Sequence, residues 1–161
     1  MAMLPTPATY AAFCAAAIAL ILTPGPDTVY VLTRGVQSRG AGVRSALGIA
    51  TGVLLHTAAA TDGGTTVDGS QTTATADRAA TDDATDSGSF RRGVLVNALN
   101  PEVALFFLAF FPGFAGTGTD ATARMALLGG TYAGLTAIYL GGVAVASGRA
   151  ACCRRGRPRR G

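Results

Sequence analysis

The chain has 161 residues, of which 49% are apolar and only 14% charged, and its formal net charge is +4. Soluble domains carry roughly 25% charged residues, so an ordinary water-soluble domain is excluded, and the length suits a single unit. The ionisable groups lie between long uncharged blocks. A bilayer enforces that segregation, because a charge at its centre costs about 2.5–3.5 kcal/mol.

The first block, residues 9–32, opens on TYAAFCAAAIALIL, apolar on every side. A cleavable signal peptide is the rival reading, but no basic region precedes the block and the apolar stretch resumes beyond its interruption. A retained span is expected. The second block, residues 43–60, sits at the short end of what spans a bilayer, since about 20 residues are needed and about 17 are tolerated. The third, residues 93–114, contains VLVNALN followed by ALFFLAFFPGF. The fourth, residues 125–147, has no charge and is rich in glycine and alanine, which favour close helix approach in lipid. Together they predict an all-α, multi-pass transmembrane helix bundle of three or four spans.

Between the second and third blocks, residues 61–89 hold six aspartates against one arginine, Arg78. They contain almost no apolar side chain larger than alanine, and such a segment buries too little to offset its ordering entropy. The expected organisation is an N-terminal membrane part (1–60), a disordered acidic Thr/Asp-rich linker (61–89), a C-terminal membrane part (90–148) and a basic tail (149–161). All basic residues are arginine, and six lie in that tail. Juxtamembrane arginine explains them without a nucleic-acid partner, and none is expected. Cys14, Cys152 and Cys153 have no metal or redox spacing, and no cofactor or metal is expected.

Arginines follow block one (Arg34, Arg39, Arg44), precede block three (Arg91, Arg92) and follow block four. The positive-inside rule assigns all three clusters to the cytoplasm. Counting crossings then fails once, between residues 60 and 90. Either block two dips in and out, or a helix that belongs after Ala60 is missing; the abrupt change from LLHTAAA to TDGGTT favours the second.

Block one is interrupted by Thr23-Pro24-Gly25-Pro26-Asp27. Two prolines remove backbone donors, so the helix breaks. Broken backbone at membrane depth is tolerated only under protein or beside a water-filled cavity. In transporters such breaks present helix ends to substrate or ions, and an intramembrane carboxylate such as Asp27 is a functional candidate. The alternative is a short helix ending at the interface.

The run LTPGPDTVYVLTRGVQSRGAGVRSALGIATGVLLH resembles the opening of the LysE/RhtB family of amino-acid exporters. The run FRRGVLVNALNPEVALFFLAFFPGF is similar to that family's later segment with its N-x-x-N-P core. The resemblance implies about six helices and export, usually proton-driven, of amino acids such as lysine, threonine or homoserine. By position it implies that Pro24, Gly25, Pro26 and Asp27 form one break, and that Asn97, Asn100 and Pro101 form a second one facing it. The site residues would contact a small-molecule amino-acid substrate; the alternative for Asn97 and Asn100 is a bond between helices.

The sequence departs from the family in lacking the third helix, in carrying Glu102 where a lysine follows Asn-Pro, and in a C-terminal run that does not continue into a sixth helix. His56 is read as a packing or interface residue before a proton relay. No nucleophile–base pair or phosphate loop is present, so the chain is not expected to be an enzyme. The expected function is export of amino acids or similar metabolites across the plasma membrane, by a monomer or a homo-oligomer. The alternatives are a non-transporting remnant of such an exporter and a membrane-anchored interaction protein.

Overall fold

The computed structural model describes residues 5–61 and 86–155, and the described residues contain no strand. Helix α1 (Pro7–Leu22) opens with Thr6 Oγ1 accepting from the Thr9 N–H and Pro7 in the first turn, where its missing donor costs nothing. It ends at the Pro24-Gly25-Pro26 run, and α2 (Pro26–Gln37) leaves at 55° to it. Helix α3 (Arg39–Thr61) follows after Ser38. Helix α4 (Asp86–Ala98) and α5 (Pro101–Ala115) form a second bent pair, at 48°. Helix α6 (Ala121–Arg155) closes the bundle.

Two helices, α3 and α6, are long and apolar enough to cross a membrane, and each bent pair qualifies if counted as one span. The all-α membrane bundle of the sequence reading is what the structure has. Block two is one continuous helix of 23 residues, about 34 Å long against a hydrocarbon core of about 30 Å. It does not turn back within the layer. The linker reading covers residues that are helical at both edges, Thr61 in α3 and Asp86 to Ser89 in α4; residues 62–85 lie outside the described ones. Likewise α6 continues through Arg149 to Arg155, into the expected tail, and residues 156–161 lie outside the described ones.

The distribution of side chains suits lipid. Leu105, Leu108, Phe110 and Ile138 are more than 60% exposed, while Ser45, Asn97, Asn100, Thr136 and Ser147 are buried. In water this would be inverted; in a bilayer the surface matches its solvent and the polar groups bond between helices. Two apolar clusters hold the bundle. One joins Phe13 of α1 to Phe106, Phe107 and Phe111 of α5 and Tyr132 of α6, with Phe13 and Phe111 edge to face at 6.0 Å between centroids. The other joins Val31, Ala46, Ile49, Leu140 and Ala144 on α2, α3 and α6.

Pro112 shapes α5. It has no N–H to give the Leu108 carbonyl and would press its ring on that group. The ladder widens instead into a π turn over Phe106–Phe110, with the Phe111 N–H bonded to the Phe106 carbonyl. This rotates the aromatic side chains into the first cluster.

Helices α3 and α4 run parallel. Ser45 meets Ser89, Gly48 meets Phe90 and Val94, and His56 meets Asn97. The two helices approach so closely that a Cβ on Gly48 would strike the Phe90 carbonyl, and one on Gly93 the Ser45 carbonyl. Helix α6 runs antiparallel to α3, with Gly129 against Thr57 and Gly148 against Arg39. Arg34 donates to Ser89 Oγ at 2.6 Å, so Arg34 of α2, Arg39 and Arg44 in the opening turns of α3, the arginines of α4 and Arg149 on α6 collect at one end of the bundle. The parallel pairing leaves Thr61 and Asp86 at opposite ends.

Gly48→Ala should lower the unfolding midpoint in detergent, because overpacking of about 1–3 kcal/mol outweighs the gain in helix propensity of about 1 kcal/mol. Gly134→Ala, where a Cβ meets nothing within 4 Å, should leave it unchanged or raise it. A Ser45→Cys/Ser89→Cys pair, with the native cysteines replaced by serine, should form a disulfide on mild oxidation in membranes. An antiparallel α3–α4 pairing would give none.

Candidate functional site

The two breaks lie side by side. Pro26 and Pro101 each occupy the first turn of the helix that leaves its break, α2 and α5, so both helix N-termini open into one region. Asn100 caps α5, its Oδ1 accepting from the Glu102 N–H at 3.0 Å. Gly25 caps α2 with no side-chain bond. A Cβ at Gly25 would lie 3.0 Å from Glu102 Oε2, so glycine here lets the first break approach the second.

Across the junction, Asn97 Nδ2 donates to Asp27 Oδ2 at 2.7 Å. Asn97 is fully buried, and Asn100 stands beside the same carboxylate. Pro101 explains the next contact. It cannot donate to the Asn97 carbonyl, which accepts instead from the Asn100 N–H at 2.9 Å and from His56 Nε2 at 3.2 Å. His56 stacks on Phe107 at 5.7 Å. Its role in the structure is to satisfy the carbonyl that proline orphans.

Around this junction is a small, open cleft lined by Thr23, Gly25, Asp27, Thr28, Asn97, Asn100, Glu102, Tyr132 and Thr136 with Leu20, Ile21, Val103 and Leu140. It lies between the two apolar clusters, near the middle of the apolar part of α6. Thr136 is 15 residues from the start and 17 from the end of the apolar stretch Ala121–Cys153. Asp27 Oδ1 and Thr136 Oγ1 are buried without a hydrogen-bond partner. Among the described residues that line the cleft, two are acidic and none is basic.

Of the seven residues the sequence singles out, Gly25, Asp27, Asn97 and Asn100 line this cleft. Pro24, Pro26 and Pro101 are exposed and act on it through the backbone they break. Glu102, which the sequence marks only as a departure from the family pattern, lies in the wall beside Gly25. Thr23, Thr28, Tyr132 and Thr136 were missed. The signal for the last two was a pair of polar residues four apart on an otherwise apolar helix, which puts them on one face. Among the described residues, no group of three or more His, Cys, Asp or Glu is placed to hold a metal ion.

A helical bundle with an apolar surface and a polar cleft at paired helix breaks defines an integral membrane protein of the transport type. The family model described as LysE type translocator matches residues 69–160, more than half of the chain, and the protein belongs to that family. The match takes in Asn97, Asn100, Glu102 and Thr136 and leaves out the Pro24–Asp27 break. No curated protein and no solved structure matches the chain. The family is one of membrane translocators, which agrees with the expectation of a non-enzyme.

A double-mutant cycle on Asp27→Asn and Asn97→Ala should return a coupling of about 1.5–3 kcal/mol, as for a hydrogen bond to a charged group. Unfolding in detergent measures it. A coupling near zero would mean that the carboxylate and the amide do not support each other.

Proposed function

We propose that the protein exports an amino acid or a similar small amine from the cell across the plasma membrane, with the cleft as the solute site. The observation that carries this reading is the Asp27–Asn97 hydrogen bond, which ties two helix breaks together around unsatisfied polar atoms. A substrate ammonium fits the acidic wall, Asp27 with Glu102. A substrate carboxylate fits the N-terminus of α2, where the dipole is positive and no side chain caps the amides. Half-helix ends hold anionic substrate groups in other transporters in this way.

Export by alternating access would rock the α1–α2 and α4–α5 pairs about their breaks, which are already bent by 55° and 48°. Asp27 would take up a proton or an ammonium in turn, so that inward proton flow drives outward solute flow. Asn97 would hold the carboxylate in place during the exchange. The working unit is one chain or a homo-oligomer.

A second reading, a remnant that no longer transports, is favoured by one observation. With α3 and α4 parallel, Thr61 and Asp86 lie at opposite ends of the bundle, and the sequence between them, residues 62–85, carries five aspartates. Each would cost about 2.5–3.5 kcal/mol at the bilayer centre.

Efflux of preloaded, labelled amino acids from cells expressing the protein separates the two readings. The exporter reading expects efflux that Asp27→Asn abolishes and that a protonophore slows. No efflux from a chain confirmed in the membrane supports the remnant. Efflux that survives Asp27→Asn would remove Asp27 from the mechanism.

A further inference from the structure

Thr136 departs from a pattern that several hydroxyls inside these helices share. Serine and threonine inside a helix turn the hydroxyl back to a carbonyl three or four residues earlier. Ser45, Thr51, Thr57, Thr131 and Ser147 all do so, at 2.9–3.0 Å. Thr136 is equally helical and only 4% exposed, yet its hydroxyl makes no hydrogen bond. It lies in the cleft wall, one turn from Tyr132 and one from Leu140, in the same lining as Asp27.

An unpartnered buried hydroxyl costs stability, and the back bond that would relieve it is a rotation away. Asp27 lines the same cleft, and its Oδ1 is also buried without a partner. Both atoms accept hydrogen bonds, and the described lining has two carboxyl groups and no basic one. A ligand that satisfies them brings donors and a positive charge, as a primary ammonium does.

We infer that Thr136 is a substrate-contacting, specificity-determining residue: with Asp27 it accepts hydrogen bonds from the ammonium of the translocated solute. The inference rests on the reading of the cleft as the solute site. Thr136 makes α6 a third wall of that site, beside the two broken pairs. An ammonium donates to the Thr136 hydroxyl as well as to the carboxylate, so a solute that lacks donors at this position is held by fewer bonds.

The test is equilibrium binding of a labelled mixture of proteinogenic amino acids to the full chain purified in detergent, for the native protein, Thr136→Val, Thr136→Ser and Asp27→Asn. Each variant is also melted. Thr136→Val keeps the shape and removes the hydroxyl, so it should weaken binding about tenfold or more, as loss of a hydrogen bond to a charged group does. Its melting point should stay level or rise, because no bond within the protein is lost. Thr136→Ser should bind within about threefold of the native protein.

Native-like binding by Thr136→Val, with Asp27→Asn unable to bind, would overturn the role of Thr136 and leave the cleft reading standing. Weak binding by both Thr136 variants together with a lowered melting point would make the residue a packing element and overturn the proposal. A native protein that binds no member of the mixture would overturn the cleft reading, and this inference with it.

Discussion

A helix interrupted inside a bilayer exposes backbone groups that lipid cannot satisfy. This chain contains two such interruptions, and each supplies the cover for the other. Asn100 caps its own helix and stands beside Asp27; Asn97 gives its amide to Asp27 and its carbonyl to His56. The close approach at Gly25, the bend angles and the cleft itself depend on this mutual arrangement. Pull the breaks apart, and the Asp27 carboxylate and the Asn97 amide lose each other.

The rest of the bundle keeps that junction in place. The aromatic cluster of α1, α5 and α6 lies on one side, and the smaller aliphatic cluster of α2, α3 and α6 on the other. Glycines at the α3–α4 contact bring backbones together where lipid offers no hydrophobic drive for association. The π turn at Phe106–Phe110 is part of the same economy of shape, since Pro112 would otherwise stop α5 short of Phe13.

Sequence made the fold class and the breaks legible because both violate ordinary expectations. Long uncharged blocks have no place in a soluble domain, and Thr23-Pro24-Gly25-Pro26-Asp27 cannot continue a helix. Element ends were less legible, because hydropathy marks what lipid covers while a helix continues past it. Thus α3 begins at Arg39, before the apolar run, and α6 passes Arg149. Asp86 to Ser89 read as linker by composition, yet Ser89 accepts from Arg34 and Ser45 inside the bundle. Tyr132 and Thr136 stayed hidden among glycine and alanine on α6, since nothing local distinguishes a hydroxyl facing a cleft from one bonded back to its own helix.

The parallel pairing of α3 with α4 bears on what counts as a subunit. Helices α1 to α3 form one insertable piece and α4 to α6 another, each with arginines at the same end of the bundle. Among the described residues the pieces are joined by both apolar clusters, the glycine contact, the Arg34–Ser89 bond and the Asp27–Asn97 bond, all of them non-covalent. Architecturally the described helices make a heterodimer written as one polypeptide, its halves meeting through these contacts.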